Sequence, residues 1–359
     1  MFISIEYCII FFHVCKNVRP RSIISYMYII VFSGSIDQID CVYYNKVAQA
    51  YAQSTTQNFI SQWSKYIEFC ATHRLVLYPP STMNVARFLT IYSDKVGSYA
   101  TVANMLSSIK TFYRLSGYQL NTESPIIDLL MKSCKRTMSV SAKPKSPIEV
   151  GHILLIQNLI DFSDPCQYTF FLALIIQFFA CLRVSNLVPT SVNHVASKCH
   201  LKRSQVSVLQ NAIILTLHWS KTLQNSQDLF TIPIAGAPGS ILDPFALYVN
   251  YVKQFPVPSH CPVFSYIQQG NLCVFTRSMY TKYLKSYLAR IGVNPHNYSS
   301  HSVRRGSASF MNQCQVPIGL IKLHGTWRSS AYQKYIQYDF HQKLCPTLKM
   351  HQGIQELCK

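Results

Sequence analysis

Residues 168–183, YTFFLALIIQFFACLR, would be apolar on nearly every side of a helix, with Gln177 the main interruption. A helix of that kind has to be enclosed, either by protein or by lipid. The run falls short of the about eighteen apolar residues that a bilayer-spanning helix needs, and it carries an amide in its middle. It therefore reads as a buried core helix, and the segments around it must supply the apolar faces that cover it.

Those segments can be read in order. From Ser54 to about Lys135 the apolar residues recur at helical spacing, beginning at the capping-box pattern STTQ and running through NFISQWSKYIEFCATH. YPPSTMNVARFLTIYSD, opened by prolines, and SYATVANMLSSIKTFYRLSG, closed by Gly117, add two more helices. TMSVSAKPKSP has no apolar period and reads as a basic linker. Beyond the buried helix, QVSVL, AIILTLHW and DLFTIPI are β-rich and closely spaced, which predicts an antiparallel meander. Helices resume in DPFALYVNYVKQF, with Asp243 as N-cap and Pro244 in its first turn, and in TRSMYTKYLKSYLARIG, which stops at Gly292. A helix from Pro317 to Gly325, a turn, and a serine-capped helix in SSAYQKYIQYDF follow. The expected fold is mainly α with a small antiparallel β-sheet. Its parts are an apolar leader over 1–42, a helical domain over 43–136, a linker over 137–147, a second domain of helices and sheet over 148–340, and a tail over 341–359.

Charge narrows the partners. Against 33 Lys and Arg there are 14 Asp and Glu, a net charge of +19 with a pI near 9.4. Such an excess attracts polyanions, nucleic acid foremost, although an anionic membrane surface would satisfy the same charge. After Pro165 the only acidic residues are Asp228, Asp243, Asp339 and Glu356, too few and too scattered for a two-metal nuclease centre. The thirteen cysteines form no CxxC pair and no cluster at metal-ligand spacing, so they read as buried thiols in a reducing compartment. MFISIEYCIIFFHVC lacks a basic start and a cleavage site, and it reads as an unstructured leader rather than a targeting signal. No phosphate-binding glycine loop, HExxH or GxSxG motif is present.

Four places carry chemistry. Arg183 leaves the buried helix in CLRVSNL; Lys221 stands at the tip of the meander in HWSKTLQ; His301 and Arg304 stand one helical turn apart in HSVRRGSASF; and HGTWRSSAYQKYIQYD holds Trp327 with Tyr332, Tyr335 and Tyr338. Each alone has a plain explanation as a snorkelling arginine, a solvated turn lysine, a polar helix end or a packing surface. Together they suit the attack of a phenol on a phosphodiester. Arg183 and Arg304 can offer planar forks to the non-bridging oxygens, His301 can share proton transfer and phosphate contact, and Lys221 can protonate the leaving 5′ oxygen. A tyrosine has a pKa of about 10, so only roughly one in a thousand is phenolate at neutral pH. A cationic pocket favours that ionised form. A covalent phosphotyrosine conserves the energy of the broken bond, so the reaction needs no ATP, metal or other cofactor. Geometry leaves the three tyrosines equivalent.

The order Arg, Lys, His-x-x-Arg, Trp, Tyr resembles that of the tyrosine recombinases, or phage integrase family, and is most similar to those of eukaryotic Crypton and DIRS mobile elements. FFACLRVSNLVP, LHWSKTLQ, HSVRRGSAS and GTWRSSAYQKYI are similar to the family's boxes and stand in the family's order, and the similarity runs from about residue 47 to 340. The resemblance implies a SAM-like core-binding domain followed by an α+β catalytic domain. It gives Arg183, His301 and Arg304 the scissile phosphate, Lys221 the role of general acid, and Trp327 the family's His or Trp position. It makes Tyr335, ten residues after Gly325, the nucleophile. It also implies a clamp of the two domains on double-stranded DNA, a homotetramer on synapsed sites with the tail docked on a neighbour, and a nuclear location. Asn186 replaces the family's frequent acidic residue, Thr326 takes the usual histidine position, and residues 1–42 match nothing. Two other readings remain: a domesticated DNA-binding protein without turnover, and a membrane-associated basic protein.

Overall fold

The computed structural model describes residues 46, 50, 51, 53–138, 144–195, 199–219, 229–327 and 329–336. The chain divides into two compact units, Met1–Pro144 and Lys145–Lys359. The leader, the tail, most of the linker's centre and the turn bearing Lys221 lie outside the described residues.

Among the described residues of the first unit, four helices enclose one aromatic core: α1 (Gln53–Thr72), α2 (Thr82–Lys95), α3 (Tyr99–Leu115) and α4 (Pro125–Thr137). Serines 81, 98 and 124 cap α2, α3 and α4, each side chain accepting a backbone N–H that the first turn would leave unpaired. Trp63 of α1 stacks on Phe112 of α3 with ring centroids 4.8 Å apart, and Tyr66 and Tyr113 close around them. Tyr113 donates its hydroxyl to the Leu77 carbonyl at 2.9 Å, so the core phenol is paired. Two expectations are corrected at helix starts. Helix α1 already includes Gln53, so STTQ lies in its first turn and does not cap it, and α2 is capped by Ser81 with the prolines outside. The fourth helix, α4, carries no separate signal in the reading above.

The second unit contains α5 (Val150–Gln157), α6 (Pro165–Phe179), the single turn α7 (Val184–Leu187), α8 (Pro244–Gln254), α9 (Arg277–Arg290), α10 (Ser300–Gln313) and α11 (Ile318–His324). Strands β1 (Val206–Leu209), β2 (Ala212–Leu217) and β3 (Phe230–Ala235) pair antiparallel in the order β1-β2-β3, and β4 (Ser265–Gln268) pairs with β5 (Asn271–Val274) as a separate hairpin. The core helix expected from residues 168–183 is α6. Every residue from Tyr168 to Phe178 is buried, and the helix packs against α8 and α10. Asp164 caps it by accepting from the N–H groups of Cys166 and Gln167 at 2.7 and 3.1 Å, with Pro165 in the first turn. The meander turns Ile213, Leu215, Leu217, Ile232 and Ile234 into the same core, at the period of two that a half-buried sheet requires.

The β4–β5 hairpin is an addition to the sequence reading, and the segment after Ser329 is a correction to it. That segment is a 3-10 turn over Ser330–Lys334 rather than an α-helix as far as it is described, so its tyrosines do not follow an α-helical wheel. Of the eight described cysteines, all free thiols, Cys70, Cys134, Cys181 and Cys261 are buried as expected, whereas Cys166, Cys199 and Cys273 are half-buried and Cys314 is exposed. No described helix is long and apolar enough to cross a membrane.

Candidate active site

Helix α10 begins with a reciprocal cap: Ser299 Oγ accepts from the His301 N–H at 3.2 Å, and Ser302 Oγ accepts from the Ser299 N–H at 2.9 Å. His301 therefore sits in the first turn, exposed, where the helix dipole is positive. One turn later Arg304 points inward and is 1% exposed. Gly306 permits this placement, because the chain at Ile148 crosses the helix there: a Cβ on residue 306 would lie 1.7 Å from the Ile148 carbonyl oxygen.

Arg304 is surrounded by carbonyls and rings. Its Nη1 donates to the Cys181 carbonyl at 2.6 Å and its Nη2 to the Gly325 carbonyl. The guanidinium carbon is 4.2 Å from the centre of the Trp327 ring and 5.7 Å from that of Tyr335. Among the described residues the one ion pair is Lys132 with Asp128, on the surface of the other unit. The buried guanidinium thus has no carboxylate. Burial, reinforced by the positive charge of Arg183, draws its pKa down to about 10 from the ordinary 12.5, and it remains a cation at neutral pH.

Arg304, Arg183 and Trp327 each carry a further buried donor. Arg304 Nε, Arg183 Nη1 and Trp327 Nε1 are all buried without a hydrogen-bond partner. Leaving one such donor unpaired costs about 1–3 kcal/mol, more for a charged group. A tetrahedral oxyanion supplies several acceptors and a negative charge, the complement of donors of this kind. Arg183 lies at the N-cap of α7, in extended backbone just after Cys181, whose φ of +50° turns the chain out of α6.

Trp327 and Tyr335 are placed by the chain after α11. Gly325 ends that helix and Thr326 takes a φ of +56°, which folds Trp327 back over Gly325. A Cβ at 325 would fall 1.8 Å from the indole Cζ3, so only glycine leaves room for the ring. Tyr335 follows the 3-10 turn, its carbonyl accepting from Ser309 Oγ at 3.2 Å and its ring centroid 5.3 Å from that of Trp327. Cys181, Ala308, Ile321, Trp327 and Ile336 form the apolar floor. Outside this site, Thr190, Arg277, Ser278, Thr281, Lys282 and Lys285 line an open basic groove at the start of α9.

No family model matches the chain, and no curated protein matches it. Solved structures do. The XerH site-specific recombinase bound to a palindromic difH substrate in a post-cleavage complex is similar over 95% of this chain and 94% of its own, with a TM-score of 0.60 at 13% identity. A lambda integrase dimer bound to a COC′ core site is similar over 84% of this chain and 96% of its own, with a TM-score of 0.55 at 15% identity. The fold is that of the tyrosine recombinases. The Tn1549 transposon integrase in complex with circular intermediate DNA shares it too, over 95% of this chain and 98% of its own, with a TM-score of 0.50 at 10% identity.

Within the recombinase fold the residues singled out by sequence are distributed as follows. Arg304, Trp327 and Tyr335 come into mutual contact, and Arg183 is near enough for its charge to act on Arg304. His301 stands exposed one turn away. Lys221 lies outside the described residues, in the connection between the paired strand ends Leu217 and Phe230. Tyr332 and Tyr335 differ: the ring of Tyr332 faces the Lys322 ammonium at 5.7 Å, whereas that of Tyr335 faces Arg304. Asn186 is buried and donates to the Trp219 carbonyl at 2.9 Å, a bond to a carbonyl that an acidic residue could not make when ionised. The carbonyls of Cys181 and Gly325, which hold Arg304, were not found by sequence, because backbone acceptors leave no residue-type signal.

Proposed function

We propose that this chain breaks and rejoins double-stranded DNA as a tyrosine recombinase, through a 3′-phosphotyrosine intermediate. The observation that carries this reading is the buried Arg304 cation, without a carboxylate and with its own Nε unpaired, packed on Trp327 and beside the phenol of Tyr335, while Arg183 Nη1 and Trp327 Nε1 are also buried without a partner. Such a group of donors suits a phosphodiester better than a neutral ligand.

In the proposed reaction the Tyr335 hydroxyl attacks phosphorus, forming the O–P bond to tyrosine as the bond to the 5′ oxygen breaks. The phenolic proton passes to His301 or to solvent, and Lys221 delivers a proton to the leaving 5′ oxygen. Arg183 and Arg304 hold the non-bridging oxygens as charge builds on them, and Trp327 Nε1 donates to the same group. The reverse attack by a 5′ hydroxyl restores the phosphodiester and frees the tyrosine. The basic groove of Arg277, Lys282 and Lys285 supplies flanking phosphate contacts.

The finer reading is that four protomers act on two synapsed duplexes in the nucleus and that the chain derives from a Crypton- or DIRS-like mobile element. Its support is the four boxes in family order. The test of the proposed function is attachment of DNA to denatured protein after incubation with a pool of nicked duplexes carrying a randomised core. The wild type should give an adduct and Tyr335→Phe none. A protein that binds the duplexes but forms no adduct would be a DNA-binding protein without turnover.

A further inference from the structure

The amide that interrupts the apolar helix has a defined task. Gln177 is fully buried in α6, yet all of its side-chain groups are engaged: Nε2 donates to the carbonyls of Leu182 and Ser300, both at 3.1 Å, and Oε1 accepts from the Tyr280 hydroxyl at 2.5 Å. Leu182 immediately precedes Arg183, and Ser300 immediately precedes His301 in the first turn of α10. The Gln177 backbone carbonyl also accepts from the Leu182 N–H at 3.2 Å, so one residue holds both polar groups of Leu182.

The tie joins two segments of different character. The chain leaves helical geometry after Ala180, with Cys181 in the left-handed region, so the Leu182 carbonyl lies outside the α6 ladder. The residue on the other side, Ser300, belongs to a different helix and is more than a hundred positions away in sequence. Tyr280 of α9 is itself fully buried and is held as a protonated donor by that burial. The carbonyls of Leu182 and Ser300 can only accept, so the NH₂ must face them, and the amide oxygen is left to accept from the Tyr280 hydroxyl. The orientation of the bridge is therefore fixed.

We infer that Gln177 and Tyr280 are positioning residues that set the separation of the Arg183 turn from the helix carrying His301 and Arg304. Neither touches the reacting atoms. Their effect is to hold two anion-binding arms at the spacing of one phosphate. The inference rests on the recombinase reading above.

The experiment uses the full chain with Gln177→Met, which keeps the volume and removes the amide, and Tyr280→Phe, which removes one oxygen. Tyr251→Phe is the control. It removes hydroxyl bonds to Thr169 and Ser265, of 2.8 and 3.0 Å, from the same core. Three quantities are measured: melting temperature, affinity for random-sequence duplex, and the rate of Tyr335 adduct formation at saturating nicked duplex. Misplacing catalytic groups by even an ångström slows a reaction by roughly 100-fold. Gln177→Met should show a loss of that order, and Tyr280→Phe a loss of about tenfold, at unchanged affinity. Tyr251→Phe should melt earlier while keeping the wild-type rate. Should Gln177→Met fail to fold, Tyr280→Phe decides. The inference is overturned if the two variants form adduct as fast as the control, or if all three slow only in proportion to their lost stability. If the wild type forms no adduct, the recombinase reading falls and this inference with it. If the wild type reacts and the variants react equally, only this inference falls.

Discussion

The guanidinium of Arg304 lies 4.2 Å over the indole ring of Trp327, and the same indole leaves its buried Nε1 without a partner. One side chain thus offers a π-face to a buried cation and carries an N–H donor that no protein group among the described residues uses. The two roles separate by mutation. Trp327→Phe keeps the aromatic face and removes the N–H, so it should melt near the wild type and form adduct more slowly. Trp327→Ala removes both and should also destabilise the chain by about 3–5 kcal/mol. Thermal melts run beside adduct rates measure each part.

Two glycines predict losses that run against helix propensity. In an ordinary helix interior Gly→Ala stabilises by about 1 kcal/mol. At Gly306 the new Cβ would stand 1.7 Å from the backbone oxygen of Ile148, which cannot move without unseating the Ile148 N–H from the Ser302 carbonyl. Gly306→Ala should therefore lower the melting temperature sharply. Gly325→Ala meets a side chain, the Trp327 ring at 1.8 Å, which can swing away. It should keep more stability than Gly306→Ala and lose adduct formation, as followed by circular dichroism and gel assay.

Tyr335 stands beside the Arg304 of its own chain, with its backbone tied to Ser309. Each protomer should therefore attack the phosphate that it binds itself. Mixing Arg304→Gln with Tyr335→Phe protomers should give no adduct above that of either alone. A restored adduct would show that the tyrosine is donated between protomers.

Stability should fall above pH 10. Burial raises Tyr78, Tyr168 and Tyr251 from the ordinary 10.0 to about 12. Between those values the unfolded chain has released phenolic protons that the folded chain retains, so folding weakens as pH rises, and the contribution is complete below pH 10. Arg304, lowered to about 10, acts with the opposite sign over the same range, as one group against several. Denaturant melts at stepped alkaline pH, with phenolate absorbance recorded alongside, should show ionisation coinciding with unfolding.

The core helix was legible because a run apolar on all sides has one solution in a protein of this size, and the meander because its strands are short and β-rich and the first two are joined by a tight turn. Asp243, Gly117 and Gly292 mark their helix ends in both sequence and structure. The STTQ pattern misled because a capping signature inside a longer helical period does not fix where the helix starts. The choice among tyrosines was hidden for a different reason: periodicity assumes an α-helix, whereas Ser330–Lys334 is a 3-10 turn that aims Tyr332 and Tyr335 at different cations. Gln177 looked like a blemish in an apolar run, since sequence shows the amide but not the two carbonyls that it joins.

The most direct measurement is the identity of the residue that carries DNA. Trypsin separates Tyr332 from Tyr335, because Lys334 lies between them, and fragmentation separates Tyr335 from Tyr338. After trapping on nicked duplex and nuclease digestion, mass spectrometry should find a nucleotide joined through its 3′ phosphate to Tyr335. A nucleotide on Tyr332 or Tyr338, or no nucleotide-bearing peptide at all from protein that binds the duplex, would contradict the assignment.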